Sequence, residues 1–277
     1  MEVGHPNKLG IIIQARMKSE RLPGKVLRKL QIDEGDTILG QIINSAAKLN
    51  GVIVVATSTD ESNFPILDFC NSKNILCFKG DEENVLGRFT SIQSIYEFDN
   101  IIRLTADNPF IDYQVINEVL DYHVNNDFDY TISKGLPLGM NIEIMKGKSL
   151  MESENLIEFE SDKEHVTPIL RRNSKFKNSE YIFNLGLHEL RVTVDTIQDY
   201  MVACLLYNIS YQKNISGIDS MKYVKINHEW IFEPNKNIIQ KNSHSNKTQE
   251  FKDAVILLRK YDFFKSADFI EKSINNE

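Results

Sequence analysis

The sequence predicts an α/β fold with a mostly parallel sheet covered on both faces by helices. Three observations predict it. Short, almost wholly apolar runs read as buried strands, stretches of helical length and helical apolar spacing lie between them, and the two alternate through residue 133. A strand with helices against both faces needs no polar alternation, and LGIIIQA (9–15) and GVIVVAT (51–57) show none.

Strand 9–15 leads into a polar, basic loop from Arg16 to about Lys25. Asp36 is placed to cap a helix over 37–49, where Ile38, Ile42, Ala46 and Leu49 recur at helical spacing. Strand 51–57 is followed by a helix over 64–72 and a strand over 75–79 (ILCFK). A helix over 83–97 carries Leu86, Phe89, Gln93 and Tyr96 along one side. Strand 100–105 (NIIRLT), helix 112–125 and strand 128–133 (FDYTIS) continue the alternation. Past 134 the rhythm loosens: a strand over 141–146 (NIEIMK), a helix over 162–172 interrupted by Pro168, and a strand over 190–195 (LRVTVD) that ends on an acid. A helix over 197–210 turns Tyr200, Ala203, Cys204 and Tyr207 inward. Beyond 211 the chain becomes polar; 235–250 reads as a loop, with short helices near 250–260 and 263–274. The expected organisation is one α/β domain over 1–210 and a polar, helical extension over 211–277.

The chain has 277 residues, enough to bury a full core without disulfides or metals to staple it. Cys70, Cys77 and Cys204 are too few and too scattered for a disulfide framework or a zinc site. No apolar run approaches the roughly 18–20 residues of a membrane span, and Met1 to Lys8 has no apolar core of a signal peptide. A cytoplasmic protein is therefore expected, with no membrane partner. The net charge of -7 argues against a nucleic-acid partner, which needs a basic face. That sum conceals a concentration of positive charge. Residues 16–29 hold six basic side chains and one acid, a distribution that suits a small polyanion better than a long one.

In an open parallel sheet, ligands bind in the crevice beyond the carboxyl ends of the strands. The loops 16–25, 57–62 and 106–111 fall there. Arg16, Arg21 and Lys25 can neutralise phosphate oxygens, and backbone N–H groups near Gly24 can add donors. The spacing is neither GxxxxGK[ST] nor GxGxxG. Asp107, just past strand 100–105, and Asp195, closing the run 190–195, bring acids to the same rim. Strand-end carboxylates there commonly hold Mg²⁺ on a polyphosphate. Two acids and one basic loop suggest metal-assisted phosphoryl or nucleotidyl chemistry. Asp199 reads instead as a helix cap. Asp81 or Asn84 caps the helix over 83–97, and Arg88 lies on its first turns, where it could face a base or a phosphate. Glu143, and Glu164 with His165, complete the candidates. HExxH, CxxC and GxSxG are absent, which disfavours zinc proteases, thiol redox enzymes and α/β-hydrolases.

A strand followed by Ala15-Arg16, Ser19 and Arg21-Leu22-Pro23-Gly24-Lys25 resembles the cytidylyltransferases that activate acidic sugars, the CMP-KDO and CMP-acylneuraminate synthetases. It is most similar to the branch of the spore-coat polysaccharide biosynthesis protein SpsF. Gly80-Asp81 through Arg88-Phe89 resembles that branch's acidic stretch followed by VL-x-RF, and Arg103-Leu104-Thr105-Ala106-Asp107-Asn108-Pro109 its R-x-T-x-D-x-P. Gly139 to Glu143, Glu164-His165-Val166-Thr167 and Arg191-Val192-Thr193-Val194-Asp195-Thr196 resemble G-x-x-x-E, EHVT and R-x-T-x-D-T. These six blocks lie in family order across roughly 9–210. The polar stretch after 220, with Asn235 and Asn237, also resembles the family's tail.

The resemblance implies a nucleotide-diphospho-sugar transferase fold, GT-A-like and Rossmann-type, with three α/β/α layers. It implies transfer of CMP from CTP to a small anionic sugar acid, or to a sugar or polyol phosphate, with release of pyrophosphate. Arg16, Ser19, Arg21 and Lys25 would hold the CTP phosphates, and Asp107 and Asp195 would bind Mg²⁺. Ala15, Thr57, Asp81, Arg88, Arg103, Thr105, Glu143, Glu164 and His165 would line the nucleotide and acceptor sites. Relatives are often dimers in which part of the segment near 134–185 reaches across, so a homodimer is expected. The loop Arg16-Met17-Lys18-Ser19-Glu20-Arg21 departs from the Gly-rich loop of the acylneuraminate enzymes, and Thr105-Ala106-Asp107-Asn108-Pro109 departs from the QGDEP of the KDO enzymes. The resemblance therefore leaves the acceptor open. Two other readings share the residues: a glycosyltransferase of the same fold that uses a nucleotide sugar, and a non-catalytic nucleotide-binding partner in a glycan pathway.

Overall fold

The computed structural model describes residues 8–31 and 35–238, with scattered positions beyond. The alternation takes the expected form. It runs β1 (Leu9–Gln14), α1 (Ile38–Ala46), β2 (Val52–Ser58), α2 (Phe64–Ser72), β3 (Leu76–Gly80), α3 (Val85–Tyr96), β4 (Asn100–Thr105), α4 (Tyr113–Asn125) and β5 (Tyr130–Lys134). Then follow β6 (Glu143–Lys146), α5 (Gly147–Glu154), α6 (Glu160–His165), α7 (Pro168–Arg172) and β7 (Asn178–Ile182). α8 (Ile197–Lys213), α9 (Gly217–Asn227) and a 3-10 turn (Glu229–Asn235) close this part of the chain.

The strands form one sheet in the order β3-β2-β1-β4-β6-β5-β7. β3, β2, β1 and β4 are parallel, β6 runs antiparallel between β4 and β5, and β7 pairs parallel to β5. The sheet is mixed but mostly parallel. Two cores, one on each face, account for the apolar strands. Ile11 and Ile13 of β1 point into the core shared with α1, α4, α8 and α9, while Ile12 points into the core shared with α3, α5 and α7. The chain leaves β1 toward β2 on one side and reaches β4 on the other. The crevice for a ligand therefore opens between the carboxyl ends of β1 and β4.

Several local details differ from the sequence reading. Thr37, not Asp36, caps α1: its hydroxyl accepts the Gly40 N–H at 3.0 Å. The single helix expected over 162–172 is two, α6 and α7, parted at Val166, whose φ is 63°. The run 190–195 is extended but not a ladder strand; it makes one bridge, Leu138 to Arg191, and then donates Val194 N–H to the Asp107 carbonyl at 2.8 Å. Gly139 makes this close approach possible, since a Cβ there would stand 2.5 Å from the Thr193 nitrogen. The first compact unit runs to Asn237, because Met221, Val224 and Ile231 of the segment beyond 210 are buried in the α8 side of its core. Most of the loop expected over 235–250, and most of the two short helices expected after it, lie outside the described residues.

One buried carboxylate ties the antiparallel edge to the parallel half. Glu143, at the start of β6, pairs with Arg103 of β4 and Arg171 of α7. It also accepts the hydroxyls of Tyr130 (2.5 Å) and Thr167 (2.9 Å). Burial opposes its ionisation, but the two guanidiniums outweigh that and hold its pKa down to about 2. Glu143→Gln leaves both cations short of their counter-charge and should cost about 3 kcal/mol at neutral pH. A carboxyl whose folded pKa is depressed contributes stability above its ordinary value near 4.5, and that contribution disappears as pH falls toward 2. Denaturant unfolding should therefore show the gap between variant and wild type narrowing over that interval. A gap independent of pH would contradict the assignment.

Candidate active site

The loop after β1 is shaped by its apolar anchors. Leu22 and Val26 are buried, so the stretch between them lies against the sheet rim. Gly24 turns the chain there with φ 68°, a conformation that costs a side chain but not glycine, and donates its N–H to the Met17 carbonyl at 2.9 Å. Asn63, buried at the start of α2, accepts the Met17 N–H at 2.8 Å, and Lys18 pairs with Asp60 at 2.5 Å. The loop is thus fixed from both sides, and Lys25 enters a short 3-10 turn with only 7% of its surface exposed.

The Lys25 ammonium lies between two carboxylates, 3.0 Å from Asp107 Oδ2 and 2.8 Å from Asp195 Oδ1. The other Asp107 oxygen accepts the Thr105 hydroxyl at 2.7 Å, and Asn108 donates to that hydroxyl at 2.8 Å. The other Asp195 oxygen accepts Arg21 Nη2 at 3.1 Å and Arg191 Nη2 at 3.0 Å. Burial raises the pKa of Asp195, but Lys25, Arg21 and Arg191 together bring it below the usual carboxylate range. Arg191 in turn grips Asp199 through Nε at 2.8 Å and Nη2 at 3.1 Å. Asp199 has the capping role expected of it, exchanging bonds with Thr196 at the start of α8. Its second role, as a buried counter-ion of Arg191, gives no sign in the sequence.

Two further cations, Arg16 and Arg88, lie close to one another. Arg88 of α3 is 3% exposed and has no hydrogen-bond or ion-pair partner among the described residues. Its stem passes Gly80, where a Cβ would stand 2.6 Å from Arg88 Cγ. Burial, and then the nearby positive charge of Arg16, lower the Arg88 pKa, yet a guanidinium stays charged. Thr57 at the end of β2 is fully buried with its hydroxyl unpartnered. A buried cation and a buried hydroxyl left without partners are costly in a fold.

The other candidates are distributed as follows. Ala15 donates its N–H to the Ala56 carbonyl at 3.0 Å, closing β1 against β2, and Ser19 is half-buried in the loop. Asp81 accepts the N–H groups of Glu83 and Asn84, both at 2.8 Å, which lowers its pKa; Asn84 itself caps α3. Arg103 sends one nitrogen to Glu143 and another to Gln14 Oε1 at 3.1 Å, while its Nε is buried without a partner. Glu164 is exposed at the end of α6 beside His165. The geometry therefore brings together Arg21, Lys25, Thr105, Asp107 and Asp195, with Arg16 and Arg88 close to one another. Arg191 lies in a recognised block without an assigned role, and Asn235 is read only as part of a polar tail; both prove to be buried beside Asp199.

Asp107 and Asp195 offer hard oxygen donors and keep partial access to solvent. Among the described residues no third carboxylate, His or Cys joins them in a ready-made metal cage. This donor set fits a small, hard divalent cation, which is often held by one or two carboxylates and takes its other ligands from phosphate oxygens and water.

The chain matches the cytidylyltransferase family over residues 10–242. It is 33% identical over 208 residues to the spore coat polysaccharide biosynthesis protein SpsF of Bacillus subtilis, covering 73% of this chain and 87% of that protein. It is 32% identical over 230 residues to an uncharacterized protein of Methanocaldococcus jannaschii, covering 77% and 91%. Among solved structures, a cytidylyltransferase from Leptospira borgpetersenii aligns with a TM-score of 0.76 at 28% identity, covering 84% of this chain and 99% of the other. The matched span contains the basic loop, both strand-end acids and the unpaired Arg88, and the chain belongs to the cytidylyltransferase family, a family of nucleotidyltransferases.

Proposed function

We propose that this cytidylyltransferase moves CMP from CTP to a sugar acid, or to a sugar or polyol phosphate, in the biosynthesis of a surface polysaccharide, with Mg²⁺ as the metal. The observation that carries this reading is Lys25 lying between Asp107 and Asp195 at the carboxyl ends of β1 and β4. Arg16, Arg21, Lys25 and Arg88 bind the triphosphate oxygens, and Ser19 and the loop's backbone donors complete the cradle. Ala15, Thr57 and Asp81 border the nucleotide. Arg103, Thr105, Glu143, Glu164 and His165 belong on the acceptor side. Asp107 and Asp195 would hold the Mg²⁺, which would supply neutralisation of the phosphate charge. The acceptor oxygen attacks the α-phosphorus in line, the bond to the β-phosphate oxygen breaks, and pyrophosphate leaves. The protein contributes positioning and charge neutralisation, with no covalent intermediate.

A cytoplasmic homodimer accompanies this reading. Support for the dimer comes from β7, an edge strand within 134–185 whose Ile182 is exposed, since an open edge is ready to pair with another chain. Residues 134–185 are the proposed acceptor and dimer region of the α/β domain.

A screen of CTP, Mg²⁺ and candidate acceptors, read by pyrophosphate release, tests the reaction. Asp107→Asn and Asp195→Asn should each lower kcat by about a hundredfold or more while the fold survives. Turnover near wild type in either would remove that residue from the metal site. Arg88→Met makes a sharper distinction. It removes an unpaired buried charge, so the thermal midpoint without nucleotide should rise, while CTP affinity measured by calorimetry should drop about tenfold. A lower midpoint would mean that Arg88 has a structural partner and is not waiting for a ligand.

A further inference from the structure

Asp195 follows a stretch of backbone held by the bridge at Leu138 and by the Val194 N–H on the Asp107 carbonyl, and its side chain has to keep one oxygen toward Lys25. What fixes it is a chain of side chains running away from the crevice. Arg191 Nη2 holds Asp195 Oδ2 at 3.0 Å and Asp199 Oδ2 at 3.1 Å, so one nitrogen joins the two carboxylates. Asp199 Oδ2 also accepts the backbone N–H groups of Asp195 and Thr196, each at 3.0 Å, which clamps the turn on which Asp195 sits. The last member comes from the 3-10 turn Glu229–Asn235. Asn235 donates Nδ2 both to the Arg191 carbonyl at 3.1 Å and to Asp199 Oδ1 at 3.0 Å. Both partners are acceptors, so only the amide nitrogen can face them. Asn235 is 1% exposed, and so is Asp199.

We propose that Asn235 is a positioning residue for Asp195, acting through Asp199 and Arg191. The inference rests on the metal role given to Asp195 above. Its physical content is the choice of a neutral donor. Arg21, Lys25 and Arg191 balance Asp107, Asp195 and Asp199. A cation at 235 would compete with Arg191 for Asp199, and an anion would repel Asp199. An amide fills the remaining acceptor position on Asp199 without disturbing that balance. Through Asn235 the segment beyond 210 supports the catalytic apparatus from outside the crevice.

The test uses the full chain saturated with CTP and titrated with Mn²⁺, free metal being counted by electron paramagnetic resonance against a CTP-only blank. Asn235→Ala should weaken Mn²⁺ binding about tenfold, in line with the loss of other outer-shell partners. kcat should fall with it, while KM for CTP stays within about twofold. The decisive measurement is the double variant. On an Asp195→Asn background, Asn235→Ala should cause no further loss of Mn²⁺ affinity, because the carboxylate it positions is gone. A merely structural role would subtract the same amount from both backgrounds, and that result, or unchanged Mn²⁺ affinity in folded Asn235→Ala, overturns the proposal. Should Asn235→Ala not fold, Arg191→Lys keeps the charge, loses the fork and is subject to the same comparison. If Asp195→Asn alone binds Mn²⁺ as wild type does, the metal role of Asp195 falls and this inference falls with it. That outcome is separate from retained affinity in Asn235→Ala alone.

Discussion

Two carboxylates of like charge converge at the carboxyl edge of the sheet, and a cation has to stand between them. Lys25 does so, joining Asp107 and Asp195 across sequence separations of 82 and 170 residues. Most of the site's architecture follows from that requirement. The ammonium reaches its place only because Leu22 and Val26 pin the loop on either side and Gly24 turns it. Asp107 reaches its place because β4 lies next to β1, and Asp195 because its backbone runs beside Gly139 and bonds to the Asp107 carbonyl. Three separate stretches of chain are joined by electrostatics where hydrogen-bonded ladders do not reach.

Such a cluster is adapted to exchange. In the proposed reaction a triphosphate would offer Lys25 and Arg21 more negative charge than either carboxylate, and Asp107 and Asp195 would hold the divalent cation. Arg191 stays with Asp199 because that pair is buried and the Asn235 amide holds it from behind. The cations around Asp195 differ in burial: the side chain of Arg21 is 31% exposed, while those of Lys25 and Arg191 are 9% and 7% exposed.

The parts legible in the sequence are those governed by short-range rules. Ile11, Ile12 and Ile13 feed two cores from one strand, and that requirement writes itself as an apolar run. Asp107 is legible because a parallel sheet gathers its carboxyl ends at one edge. Where the reading strayed, a competing interaction was invisible locally. Asp36 and Thr37 are both good caps; Asp36 instead accepts the amide of Asn44, leaving Thr37 to cap. LRVTVD has the pattern of a strand, but it finds only Leu138 to pair with. Glu143 looks like any acid in a strand until Arg103, Tyr130, Thr167 and Arg171 arrive from three other segments. Asn235 gives no local signal at all, since its meaning lies in two acceptors 36 and 44 residues away.

Arg88 and Glu143 show two solutions to burying charge within one fold. Glu143 is buried with its counter-charges built in, and it serves the sheet. Arg88 is buried with no hydrogen bond or ion pair among the described residues, and Asp81 and Glu82 only partly offset the cost of its burial. A sequence selected for stability alone would place an apolar side chain of similar length there, since Gly80 leaves room only for the stem and Phe89 already anchors α3. Keeping a guanidinium at this position makes sense when an anion arrives to complete it. On the proposed function, the unpaired cation and the unpartnered Thr57 hydroxyl belong to one design, in which the free protein gives up stability that a bound nucleotide would restore.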